Sequence, residues 1–402
     1  MLTQKPTRVP SHPEGAPPGG RLSVRTVSRM HLGINAIRLC RNFTGVGRYI
    51  ECILAEWAKT QLPFDRVTLF THTPLEQAKL TFPLDRFELR VVGRTLPDPI
   101  WEATALRKAA ADVDVLFGPS YTLPLGYRGK CVVTNHGPAQ NERFSYQWLR
   151  ANAYEVLYRA SARRAVRVLA ASQSVRTRLI DVYRVPSAKI TVTYLAASSM
   201  FRPITDGLVR RQTCEKYGIV DAPFILFVGK MARRHYIPHL VEAFARLKAD
   251  PRVPLRLVLV GPDYLNLDIP RLARSHGVGE HVTHVPYATH ADLPALYSAA
   301  EFFVFPASEA EGFGVPVIEA MACGTPVIAT ALGSLKEFAP GAALTTPSPS
   351  TDDLYAAMQR LTFDEPLRRQ LVQSGFARAA EFGWPITAKK TMDVLWDVAT
   401  QP

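Results

Sequence analysis

The sequence predicts an α/β fold in which two parallel-sheet domains face each other across a cleft. Three observations carry this: short apolar runs alternate with helix-period stretches, the runs fall into two series, and a polar stretch separates the series. Crossover helices cover both faces of a parallel sheet, so its strands read as continuous apolar runs.

The first series comprises Leu32-Gly33-Ile34, Val67–Phe70, Leu89–Val92, Val113–Phe117, Cys131–Thr134, Val166–Ala170 and Ile190–Leu195. The second comprises Phe224–Val228, Leu255–Val260, Val282–Val285, Phe302–Phe305 and Pro326–Ala329. Between strands, Val46, Tyr49, Ile50, Ile53, Leu54 and Trp57 share one helix face, as do Ile237, Leu240, Val241, Phe244 and Leu247. Arg202–Ala222 lacks any such pattern and reads as a linker. The chain then divides into a tail over 1–29, a first Rossmann-like domain over 30–201, the linker over 202–222, a second Rossmann-like domain over 223–384 and a C-terminal segment over 385–402. The tail is rich in proline and glycine with almost nothing to bury, so it is expected to be disordered. Met30, just before the first strand, is a candidate for the true start.

Of 402 residues, 47% are apolar and 21% charged, enough to build a large core and to exclude wholesale disorder. The five cysteines (Cys40, Cys52, Cys131, Cys214, Cys323) are scattered without a CxxC pair. That argues against a disulfide framework or zinc ribbon and points to a reducing compartment. No run approaches a membrane span, and the first 29 residues lack a signal-peptide core, so a cytoplasmic protein is expected.

The net charge of +13 is one-sided: residues 1–200 hold 28 basic against 14 acidic residues, and 201–402 hold 20 against 21. The densest stretch, 143–190, carries ten Lys and Arg against Glu155 and Asp181. Such a half suits an anionic partner: nucleic acid, an anionic membrane or a phosphate-bearing substrate. Phe144, Tyr146, Trp148, Tyr154 and Tyr158 interleave with its arginines. They could stack bases, though no recognised nucleic-acid motif stands beside them. They also suit a face against anionic lipid headgroups, and burial against the first sheet accounts for about half of them.

The richest motif is Glu311-Gly312-Phe313-Gly314-Val315-Pro316-Val317-Ile318-Glu319. It follows a buried strand, its glycines make a turn, and Pro316 suits a first helical turn. The turn and helix N-terminus favour an anion such as a diphosphate, while Glu311 and Glu319 are placed to accept hydrogen bonds from hydroxyls of a sugar and a ribose. Gly45-Val46-Gly47 opens a helix in the manner of a phosphate loop, without a full dinucleotide fingerprint. His136 follows Cys131–Thr134 at a strand's carboxyl end, where ligands bind in such sheets. Asp112-Val113-Asp114 matches a short metal-binding pattern, but a strand sends adjacent side chains to opposite faces. The histidines His235, His239, His276, His281 and His284 lack cysteine partners for zinc.

These residues resemble the retaining glycosyltransferases of family 4. The likeness runs over nearly the whole chain after Met30, through Gly33-Ile34-Asn35, Thr44–Tyr49, Val132–His136, Val228–Arg234, Leu296–Ala300 and the acidic motif. It implies the type B glycosyltransferase fold, with the acceptor in the first domain, the nucleotide sugar in the second, and the last helix packed back on the first. It implies catalysis without a metal or other cofactor by His136, Arg234 and Glu311. Donor contacts would come from Gly45, Gly47, Arg234, His235, Glu311, Gly312, Phe313, Gly314 and Glu319. Arg234 falls where the family binds diphosphate, Glu311 would meet the sugar and Glu319 the ribose. His235 stands where the family usually has lysine, and Gly137 where it commonly has aspartate. The opening strand and Thr44–Tyr49 look most like bacterial polysaccharide mannosyltransferases, so GDP-mannose is the favoured donor and UDP-sugars the alternative. The implied acceptor is a glycan or lipid-diphosphate-linked sugar at the inner face of the plasma membrane. A silent nucleotide-sugar-binding paralogue and, more distantly, a nucleic-acid-binding protein are the other readings.

Overall fold

A computed structural model describes residues 29–40, 45–93, 96–137, 146–219 and 222–401, with the side chains of 146–153 outside the description. The expected tail falls almost wholly on 1–28, outside the described residues; Thr44, Arg143 and Phe144 lie outside them too.

Thirteen strands form two parallel sheets among these residues. The first holds β1 (His31–Asn35), β2 (Arg66–Thr71), β3 (Glu88–Val91), β4 (Val115–Gly118), β5 (Lys130–Asn135), β6 (Arg167–Ala170) and β7 (Ile190–Val192), in the order β3-β2-β1-β4-β5-β6-β7. The second holds β8 (Phe224–Val228), β9 (Arg256–Val260), β10 (Val282–Val285), β11 (Phe302–Phe305), β12 (Val327–Thr330) and β13 (Leu344–Thr346), in the order β10-β9-β8-β11-β12-β13. Strand order reverses between β1 and β4 and again between β8 and β11. Connections leave in opposite directions at these switch points, opening crevices at the carboxyl ends.

Every strand read from the apolar runs is present. β13 was not read, because Leu344 and Thr345 are only half-buried at the sheet edge and write no apolar run. The C-terminal sheet is sealed by one core in which Ile237, Leu240, Val241, Phe244 and Leu247 are all buried. Full burial of one such side chain contributes about 1.5–3 kcal/mol. The N-terminal sheet has a core on each face. One includes Tyr49, Ile50, Ile53, Leu54 and Trp57 of the helix Gly45–Ala58, together with Trp384, Ala388, Met392, Leu395 and Val398 of the last helix, Trp384–Thr400. Trp57 Nε1 donates to the Ala388 carbonyl (3.0 Å), fastening the chain's end to its beginning.

The stretch read as a linker is not featureless. Gly207–Lys216 is a helix capped by Asp206, whose carboxylate accepts from Leu208 N (2.8 Å). Cys214 and Ile219 join the C-terminal core. Only Thr213 and Cys214 of this helix are buried, too few to write an amphipathic period.

Candidate active site

Just beyond the carboxyl end of β8 come Lys230 and a short turn, Arg233–His235. Arg234 Nε donates to Glu311 Oε2 (3.0 Å), and His235 Nε2 donates to the same oxygen (3.1 Å). His235 Nδ1 donates to the Lys230 carbonyl (2.6 Å). Both ring nitrogens thus face acceptors. Burial resists ionisation of Glu311, but the His235 hydrogen bond and the Arg234 charge outweigh it and hold the carboxyl at about 2. Glu311 is therefore a half-buried carboxylate clamped by two nitrogen donors.

This changes the expected part of His235. Its side chain is only 3% exposed, lodged beside the rings of Phe227 and Phe305, and spends its donors inside the protein. A further half-buried cation here is Lys230. Its ammonium is half-buried, lowered by burial and by the Arg234 charge, and lies over the Tyr264 ring (5.4 Å) with no carboxylate partner among the described residues. Lys230 lies within the Val228–Arg234 stretch that carries the family resemblance. Its place directly after Val228-Gly229, at a strand's carboxyl end, was the available signal.

From β11 the chain runs through the acidic motif into the helix Val315–Ala322, entered by Gly314 at φ +87° with Pro316 in its first turn. Phe313 is buried against Tyr194, Phe338 and Phe382, so its side chain serves packing. Glu319 is buried, and its Oε2 accepts from Tyr297 Oη (3.0 Å). Burial pushes its carboxyl up to about 7 against that bond and the nearby Arg48 charge. Glu319 lines a cleft of about 1210 Å³ with Gly45, Arg48, Tyr49, Tyr287 and His290. Gly47, two residues further along the helix, is buried. Glu311 instead borders a separate cavity of about 310 Å³, with Arg178, Lys336 and Glu337. The motif's two carboxylates thus face different spaces.

His136 follows β5. Its Nε2 donates to the Pro119 carbonyl (2.9 Å), and its ring meets Tyr49 (4.6 Å) and Tyr121 (5.2 Å) edge-on. Burial pushes the imidazole down to about 4, so it is neutral near pH 7 with Nδ1 lacking a partner among the described residues. Tyr121 holds φ +68°, a costly conformation for a bulky residue that clusters at functional sites. Nothing in its sequence neighbourhood singles it out.

Asp112 and Asp114 lie just before β4, at the amino end of that strand and so opposite the carboxyl-end crevice. Asp112 pairs with Arg90 (3.3 Å) and Asp114 accepts from His31 N (2.6 Å). Among the described residues no group of three or more His, Cys, Asp or Glu is placed to hold a metal. In the basic stretch, Arg163 donates to the Tyr183 carbonyl and Arg164 to those of Tyr127 and Gly129, so these two brace the backbone. Among the described residues no helix is long and apolar enough to cross a membrane.

Two Rossmann-like domains meeting at paired switch points, with this acidic loop between them, define a glycosyltransferase of the type B fold. The chain belongs to the family 4 glycosyltransferases: residues 43–196 match the Glycosyltransferase Family 4 model and residues 209–378 match Glycosyl transferases group 1. It is 28% identical over 318 residues to O-antigen chain mannosyltransferase B of Escherichia coli, covering 77% of this chain and 81% of that one. It is 32% identical over 255 residues to the D-inositol 3-phosphate glycosyltransferase of Kineococcus radiotolerans, spanning 57% of each. Sucrose-phosphate synthase from Thermosynechococcus elongatus superposes with a TM-score of 0.73 at 22% identity, covering 92% of this chain and 99% of that one. Anabaena HepE in complex with UDP-glucose does so with a TM-score of 0.70 at 16% identity, over 92% and 99%.

Proposed function

We propose that this glycosyltransferase moves a hexose from a nucleotide sugar to a glycan or lipid-linked acceptor, with retention of configuration and without a metal. The observation that carries the reading is the cleft of about 1210 Å³ walled by Glu319, Arg48 and the Gly45 turn. The negative charge that grows on a departing diphosphate is countered by Lys230, Arg234 and the amide dipoles of the Val315–Ala322 helix. Glu319 accepts a ribose hydroxyl, Glu311 anchors Arg234 beside the sugar, and His136 borders the reacting centre through Nδ1.

GDP-mannose is the favoured donor, supported by the resemblance to the O-antigen mannosyltransferase. UDP-glucose is the alternative, supported by the ligand of the HepE structure. Thermal unfolding with GDP, UDP, GDP-mannose and UDP-glucose tests the reading, because a ligand of the native state alone raises its apparent stability. Product analysis by NMR then reads the anomeric outcome, and persistence of transfer in EDTA reads metal independence. A peripheral position at an anionic membrane is part of the proposal, supported by the basic first half. Arg159 is the residue to reverse in that test, since Arg163, Arg164 and Arg167 donate to backbone carbonyls. Salt-sensitive binding of wild type to phosphatidylglycerol vesicles is expected, and its absence removes the membrane from the account.

A further inference from the structure

The cleft of about 1210 Å³ has a wall from each domain, and its cationic charge lies on one of them. The second domain contributes Glu319, Tyr287 and His290, with no Lys or Arg among its described lining residues. Burial, aided by the Arg48 charge, pushes His290 down to about 4, so that imidazole is neutral near pH 7. The first domain contributes Arg48 and Lys79. Lys79 is 69% exposed and paired with Glu76 (2.8 Å), whereas Arg48 is only 26% exposed. A charge drawn out of water acts more strongly on a ligand, which favours Arg48 over Lys79 as the cation an anion meets here.

Gly45, Arg48, Tyr49 and Cys52 stand at i, i+3, i+4 and i+7 of the helix Gly45–Ala58, so one helical face fronts the cleft. Glu51 follows Arg48 by three residues and is not part of that face. Its side chain is 1% exposed, between the buried apolar neighbours Ile50, Cys52, Ile53 and Leu54. Packing on the sheet needs no charge at this position, and a buried carboxylate is costly unless it is paired. Both of its oxygens are engaged. Oε2 accepts from Arg48 Nη1, and Oε1 accepts from Thr81 N (3.1 Å). Thr81 ends the stretch 74–80, most of which lines the same cleft. Arg48 in turn faces the second domain, where its charge acts on both Glu319 and His290.

We propose that Glu51 is a positioning residue for the donor: it holds Arg48 at the cleft wall as the first domain's contact to the diphosphate. The inference rests on the donor reading above and extends it to a side chain that touches no ligand. The second domain binds the nucleoside through Glu319, and the phosphates draw the first domain onto it through Arg48. A guanidinium meets two phosphate oxygens at once, which a single ammonium does not. A long side chain already fixed by a carboxylate also loses less freedom when the ligand arrives. Pairing with Glu51 further keeps Arg48 from being spent on Glu319, the carboxylate that faces it from the other domain. The bond from Thr81 N makes the same buried group hold a second part of the wall.

Calorimetry on the full chain with GDP and with UDP tests this, wild type being read first. Failure of wild type to bind either nucleotide overturns the donor reading itself, before any variant is made. For the nucleotide that binds, Arg48→Gln and Glu51→Gln should each lose about tenfold in affinity, the scale of one charge-assisted hydrogen bond. The double variant should lose no more than Arg48→Gln alone, because both changes act through one guanidinium. The matching nucleoside, guanosine or uridine, lacks the phosphates and should bind wild type and variants alike. A purely structural Glu51 would instead weaken nucleoside and nucleotide together, and its loss would add to that of Arg48. Either result overturns the inference. Unchanged nucleotide affinity in Arg48→Gln overturns it too, and that variant decides by itself if Glu51→Gln does not fold.

Discussion

The carbonyl oxygen of His136 and the α-carbon of Gly312 touch across the two domains: a Cβ built on Gly312 would lie 1.7 Å from that oxygen. Gly137 completes the contact at φ +129°, with its own ideal Cβ position 3.0 Å from Gly312 Cα. The glycine at 137, where the resembled family commonly carries aspartate, thus has a steric reason in this chain. Any side chain there adds a strained φ to a clash with the facing backbone. Gly312→Ala should force the domains apart, abolishing transfer while each sheet stays folded. Small-angle scattering should show a larger radius of gyration with an unchanged circular-dichroism spectrum, whereas unchanged dimensions and turnover would refute the contact.

Glu337 reaches across the same interface. Its carboxylate accepts from Gln173 N (2.9 Å), Ser174 N (2.8 Å) and Tyr194 Oη (3.0 Å), so a residue of one domain helps cap the Gln173–Asp181 helix of the other. Replacing it with alanine should cost about 1 kcal/mol, the usual scale of a lost cap. Amide exchange at 173 and 174 should quicken. Unchanged exchange at both would show that water caps the helix as well.

Glu319 predicts an unusual pH dependence. Its folded carboxyl sits at about 7 against 4.5 unfolded, so between these values the native state holds a proton that the unfolded chain has released. Stability therefore falls as pH rises from about 4.5 to 7, by up to about 3 kcal/mol from this group. Glu319→Gln should raise the melting temperature at pH 8, leave it nearly unchanged at pH 4, and weaken nucleotide binding. Equal stability of the two proteins at both pH values would contradict the burial argument.

The sequence pattern alone suggests that His235→Lys should raise activity by restoring charge at the diphosphate. The geometry reverses this. One ammonium cannot reproduce the two in-plane donations to Lys230 O and Glu311, and the site lies between Phe227 and Phe305. Turnover of His235→Lys should drop at least about tenfold, the cost of a buried hydrogen bond to a charged group. Lys230→Ala should weaken nucleotide diphosphates more than nucleosides. A rise in turnover for His235→Lys would restore the charge-deficit argument.

What the sequence made legible follows from how locally each feature is encoded. Strands buried on both faces, such as Phe224–Val228 and Phe302–Phe305, are apolar throughout and were found at their boundaries. The edge strand Leu344–Thr346 and the helix Gly207–Lys216 bury too little to write a period. In the site, the Glu311–Glu319 spacing was legible because both lie in one short segment. The clamp on Glu311 was not, because it joins residues 76 and 77 positions apart.

The central claim is that a nucleotide sugar lies in the cleft lined by Glu319, beside Lys230. Calorimetric titration of wild type, Glu319→Ala and Lys230→Ala with GDP-mannose and UDP-glucose tests it most directly. One donor should bind wild type, and each variant should lose about tenfold or more in affinity for it. Wild-type affinity in both variants, or no binding of either donor to wild type, would contradict the claim.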